Sequence, residues 1–183
     1  MPSKTALLIL DMINPFDFAN GPALARAASR IAPRIAAVKR AIKAEAGACI
    51  YINDNFGRWQ SDLRELILRA QLGRAAGVLD HLHPQDDDHF VLKPKHSAFF
   101  QSPLPLLLQA TGARRLVVTG VAAEACVLAT ALDAHMREYE VHVPSDCVAS
   151  LRAPLKSAAL SILRNADIVT AAYRRGRRRR AGA

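Results

Sequence analysis

The sequence predicts an α/β fold: a six-stranded, mainly parallel sheet with helices on both faces, three layers in one domain. Short apolar runs alternate with longer segments of helical periodicity along most of the chain. The runs are apolar on both faces, as in strands covered on each side. No internal repeat or interdomain linker interrupts the 183 residues, a length that buries roughly 70% of the unfolded surface in one core.

The elements follow in order. The apolar run 5–11 is the first strand and ends in a carboxylate, Asp11. Residues 22–47 are Ala-rich with apolar positions at helical spacing; Pro33 suggests a kink or a fresh start, and Gly47 a stop. A second strand spans 48–54, and a helix spans 61–73 with Ser61 as its cap. The third strand is 89–93, followed by a short helix at 103–112 and a fourth strand at 114–120. The remainder reads as helix 122–139, strand 140–146, helix 153–166 and a last strand at 167–173. The whole is a three-layer, Rossmann-like arrangement.

Composition narrows the function classes. Hydrophobic residues make up 51% and charged residues 22% of the chain, ordinary for a globular protein. No apolar stretch approaches the ~20 residues that cross a bilayer, and the N-terminal run lacks a cleavage site, so no membrane partner is expected. Three widely spaced cysteines, an odd number, argue for free thiols and a cytoplasmic setting. Of the net charge of +9, six units sit in the arginine run at 174–180, leaving +3 for the body. Residues 1–173 are therefore the domain, and 174–183 a basic tail of the kind that stays disordered. Only that tail could reach a nucleic acid, by salt-sensitive phosphate contacts, and no such partner is expected of the body.

In open parallel sheets, ligands bind beyond the carboxyl ends of the strands. That rule brings together Asp11, the group Asn53-Asp54-Asn55, Lys93, and the segment Gly120-Val121-Ala122 leading to Cys126. Taken singly, Asp11 could cap a turn, Lys93 could be a solvated strand end, and Cys126 could be core filler. Together they supply what a cysteine nucleophile needs: a proton acceptor, a cation and a thiol in the first turn of a helix, where the macrodipole favours a thiolate.

Three segments, LLILDMINPF, KPKHSAFFQSPLPLLL and VVTGVAAEACVLATALDA, closely resemble the signatures of the isochorismatase-like cysteine hydrolases, over roughly residues 4–172. That superfamily includes nicotinamidases, N-carbamoylsarcosine amidohydrolases and ureidoacrylate hydrolases. By position, the resemblance implies Asp11, Lys93 and Cys126 as the catalytic triad and a non-proline cis peptide at Val121–Ala122. It further implies an oxyanion hole from the amides of Ala122 and Cys126, a small-molecule substrate and a homo-oligomer.

Two departures matter. Enzymes that cleave isochorismate itself usually carry glycine where this chain has Cys126, so the chain resembles the amide and ureide hydrolases. Nicotinamidases place a metal on Asp-x-His, whereas here the stretch is Asp54-Asn55-Phe56; no metal and no cofactor are expected. His81, His83 and the run Asp86-Asp87-Asp88 read as surface features, Cys49 as core filler, and Cys147 as a weak redox candidate. For the substrate pocket, Phe16, Asn55, Trp59, Phe99 and Val121 are the candidates, Asn55 as a hydrogen-bonding group and the aromatic rings as walls. The expected activity is hydrolysis of a small amide, ureide or N-carbamoyl compound through a thioester. The alternative is a non-catalytic binding or regulatory protein on the same scaffold.

Overall fold

A computed structural model describes residues 4–55, 57, 62–74 and 76–174. Ser61, Phe56, Trp59 and tail residues 175–183 lie outside the described residues.

The first strand, β1 (Thr5–Leu10), is buried over its last five residues, which is why it reads as an unbroken apolar run. Its neighbours are β2 (Ala48–Asp54) on one side and β4 (Arg115–Val121) on the other, both parallel. β3 (His89–Lys93) adds beyond β2, also parallel. β5 (Glu140–His142) and β6 (Val148–Ala149) both pair with β4, one after the other along the same edge. The order is β3-β2-β1-β4-β5, with β6 extending the β5 lane.

Alternation within β1 assigns the faces. Leu7 and Ile9 pack with α1 (Gly21–Lys43), α2 (Leu63–Leu72) and α3 (Ala76–Leu82). Ala6, Leu8 and Leu10 pack with α4 (Leu104–Ala110), α5 (Leu128–Met136) and α6 (Ala153–Asn165). Both faces of the sheet are thus covered, the condition that produces doubly apolar strands. No helix among the described residues is long and apolar enough to cross a membrane.

Several expected boundaries change. The last strand is not at 167–173; the backbone of that segment pairs with the sheet as an isolated bridge from Val169 to His142, beside the His142 ring's contacts with Ala171 and Tyr173. β5 is three residues long, and the chain turns at Pro144, where Cys147 N–H bonds back to the Pro144 carbonyl, before returning to β4 as β6. The segment 143–145 then donates to Val169 and Thr170 instead of pairing in the sheet. Pro33 lies inside α1 without ending it, on the exposed side where its missing donor costs least. α1 stops at Lys43, and Gly47 N–H bonds back to the Ile42 carbonyl, with Ala46 in the left-handed region at φ 55°. Asp62 caps α2, accepting from the amides of Arg64 and Glu65. α3 was not anticipated, because its seven residues are too few for a helical period to stand out.

Candidate active site

Asp11 leaves β1 at φ 53°, a left-handed turn that aims its carboxyl across the strand ends. Its N–H still donates to the Ile52 carbonyl at 2.8 Å, continuing the sheet, while Oδ1 accepts from the Asp54 N–H at 2.8 Å. Next to it, Gly120 has φ 111° and lies so close to β1 that a Cβ would sit 2.1 Å from the Leu10 oxygen. Only glycine fits there. The Val121–Ala122 peptide that follows is cis. The chain then enters a wide turn over Ala123–Val127, in which Val127 N–H reaches back five residues to the Ala122 carbonyl at 3.2 Å. This turn carries Cys126. Beside it Glu124 accepts a hydrogen bond from Ser150 Oγ just beyond β6.

Lys93 ends β3 directly opposite Asp54 and is fully buried, which rules out the solvated strand end. Its Nζ lies 3.0 Å from Asp11 Oδ2, donates to Cys126 Sγ at 3.3 Å, and approaches Asp54 Oδ2 at 3.7 Å. A carboxylate, an ammonium and a thiol from three separate strand ends are therefore in mutual contact. The alignment of strand ends in a parallel sheet is what makes the meeting possible.

The electrostatics correct one expectation. Burial, and next the Asp11 charge, push the Cys126 thiol up to about 12, against the pull of Lys93. Burial and the Asp11 charge together weigh against a thiolate. Burial likewise raises the Asp11 carboxyl, outweighing Lys93 and the hydrogen bonds from Cys126 and the Asp54 amide. Lys93 is opposed by burial but held above its ordinary value by the charges of Asp11 and Cys126, so it stays an ammonium. The site brings together a thiol pushed away from ionisation, a carboxyl pushed up by burial, and a cation in contact with both.

The other candidates scatter. Val121 is buried beside the cis bond, Ala122 precedes the turn and Cys126 lies within it. Phe16 is fully buried in the cluster under α1, its ring 6.3 Å from that of Phe18. Phe99 is also buried, with its ring against Tyr139 and under the Arg137 guanidinium. Asn55 accepts from Gly57 N–H within its own turn and donates its backbone N–H to the Lys93 carbonyl. Cys49 and Cys147 are buried, and both thiols are pushed up to about 12, chiefly by burial.

Two residues escaped the sequence reading. Asp88 is not part of a solvated turn: it is buried and ion-paired with Lys39 and Lys43 of α1. His96 was passed over although it stands three residues after Lys93; its Nδ1 lies 3.7 Å from Cys126 Sγ. The spacing from a strand-end lysine was a usable signal.

Asp54 faces the Lys93 ammonium at 3.7 Å, and among the described residues no three His, Cys, Asp or Glu side chains come together as a metal-binding group.

Comparison with known proteins places this geometry. The chain is 40% identical over 168 residues to the isochorismatase family protein YaaI of Bacillus subtilis, covering 90% of this chain and 93% of that one. It is 32% identical over 166 residues to the ureidoacrylate amidohydrolase RutB of Serratia proteamaculans, covering 75% of this chain and 66% of that protein. A solved isochorismatase-like hydrolase from Alkaliphilus metalliredigens superposes with a TM-score of 0.71 at 26% identity, covering 92% of this chain and 94% of that one. The isochorismatase domain model matches residues 5–173, so the chain belongs to the isochorismatase family of hydrolases.

Proposed function

We propose that the protein is a cysteine-dependent hydrolase of a small amide, ureide or N-carbamoyl compound, with Cys126 as nucleophile, Asp11 as base and Lys93 as charge stabiliser. One observation carries the reading: a fully buried ammonium within 3.0 Å of a carboxylate and 3.3 Å of a thiol. Burying such a group costs several kcal/mol unless it is well paired, and a thiol is not needed for that pairing. The likeness to a ureidoacrylate amidohydrolase supports the choice of a C–N bond. The three free cysteines suit a reducing, cytoplasmic setting.

The chemistry follows from the proton inventory. The protonated sulfur must lose its proton as it attacks, and the raised Asp11 carboxylate is placed to accept it. A bond forms from Sγ to the carbonyl carbon, and negative charge develops on the carbonyl oxygen, where the amides of Ala122 and Cys126 serve as the oxyanion hole. Collapse breaks the C–N bond, and Asp11 returns its proton to the departing nitrogen. The acyl group is left as a thioester on Cys126, which water hydrolyses. Asn55, Trp59 and Val121 remain the proposed surroundings of the substrate, whereas Phe16 and Phe99 are packed in the two cores on either face of the sheet.

The test is ammonia release from a panel of small amides, ureides and N-carbamoyl acids. Activity should appear with at least one class and fall by several orders of magnitude in Cys126→Ala, with the fold unchanged by circular dichroism. Wild-type turnover by the alanine variant would refute the covalent route.

A further inference from the structure

The buried triad leaves one side of the nucleophile to another group. Lys93 and Asp11 approach Cys126 from within the sheet, both buried. His96 approaches from the exposed side, with Nδ1 3.7 Å from Sγ, inside the range of a hydrogen bond to sulfur. Its loop is held in place. Ser97 Oγ donates to Asp133 Oδ2 at 2.6 Å, Ala98 N–H donates to Thr130 Oγ1 at 3.0 Å, and Phe99 N–H donates to Ser97 Oγ at 3.2 Å. The first two bonds tie the residues just after His96 to α5, next to the turn that carries Cys126.

Building on the thioester route above, we propose that His96 is a catalytic residue of the second half-reaction, the base that activates water against the acyl-enzyme. Water reaches the thioester from solvent, and among the described residues the imidazole is an exposed base in contact with the sulfur. The step balances. The His96 ring nitrogen takes a proton from water as the water oxygen bonds to the acyl carbon. The tetrahedral intermediate collapses, the C–S bond breaks, and the imidazolium returns its proton to the departing Cys126 sulfur, 3.7 Å away. Thiol and neutral imidazole are both regenerated. Asp11 serves acylation, where the proton starts on sulfur and ends on nitrogen; His96 serves deacylation, where it starts on water and ends on sulfur.

The probe is p-nitrophenyl acetate, whose leaving group departs without a proton, so that acylation is read free of acid catalysis. His96→Gln should keep the single-turnover rate of nitrophenolate release. Its steady-state rate should fall on the order of 10²-fold, the usual worth of a general base, with an acetyl adduct on Cys126 accumulating in the intact mass spectrum. In His96→Ala, added imidazole should restore the steady-state rate. Because the side chain is exposed, neither variant is expected to impair folding. A steady-state rate within twofold of wild type, or acylation and deacylation slowed equally, would overturn the proposal. Failure of the thioester route looks different: Cys126→Ala would release nitrophenolate as fast as wild type, and the role of His96 would fall with it.

Discussion

Two buried lysines occupy opposite ends of the same sheet, each paired with an aspartate. Lys39, late in α1, lies by the N-terminal ends of the strands; it bonds Tyr51 Oη at 3.0 Å, pairs with Asp88, and sits 5.0 Å above the Tyr51 ring centre. Tyr51 in turn donates to the Leu82 carbonyl, and Lys43 joins Asp88 at 2.8 Å. Every contact there ties α1 and α3 to β2 and to the entry of β3. Lys93, at the C-terminal ends, contacts Asp11, Asp54 and a thiol that is only partly covered. Both pairs offset the cost of burial, but only the second places a nucleophile where a small molecule can arrive. A buried lysine–carboxylate pair is therefore weak evidence of chemistry; the thiol and the exposed side distinguish the site.

Exchanging the lysines one at a time tests that contrast most sharply. Lys93→Ala should lower turnover by about three orders of magnitude, as removal of a preorganised charge at the reacting atoms does. Lys39→Ala should cost about 1.5–3 kcal/mol of stability, because Asp88 keeps Lys43 but loses its buried lysine partner and Tyr51 loses the Lys39 bond, yet turnover per folded molecule should stay within twofold. Denaturant melts and steady-state rates on both variants check this. Equal loss of turnover in the two would erase the distinction between the ends.

Asp11→Asn should have the next largest effect, and in opposite directions for two readouts. Turnover should fall with the base gone. The Asp11 charge is, after burial, what holds the Cys126 thiol up at about 12. Removing it while Lys93 stays favours the thiolate, so iodoacetamide should alkylate Cys126 faster at neutral pH than in wild type, by about tenfold for each unit of pKa lost. In the wild type, alkylation should be slow near pH 7 and keep rising as the solution approaches the thiol pKa. An unchanged alkylation rate in Asp11→Asn would show that the carboxylate does not act on the sulfur.

The smallest effect expected is none. The stretch Asp54-Asn55-Phe56 has no histidine at the second ligand position and Asp54 approaches the Lys93 ammonium, so activity on a true substrate should survive exhaustive chelation. Loss on chelation, restored by zinc or manganese, would recast the end of β2 as a metal centre and separate it from the pairing seen at Lys39.

The layers, five of the six strands, the strand ends where Asp11 and Lys93 stand and the stretch past β4 that carries Cys126 are legible in the residues alone. These follow from local periodicity and from the rule that parallel strands present their carboxyl ends together. Trp59, a pocket candidate, lies outside the described residues. Tertiary structure alone decided the rest. Val148–Ala149 became a strand because the edge of β4 was open beyond β5, a vacancy that no residue in that dipeptide signals. Asp88 became buried because Lys39 and Lys43, more than forty positions earlier, reach it across the end of the sheet. His96 met the sulfur because its loop is pinned to α5. The resting proton on Cys126 was undecidable from its place in a helix turn, since the macrodipole is a local effect worth about 1 kcal/mol. Desolvation depends on everything packed around the thiol, and here it is the largest of the influences that push the thiol up.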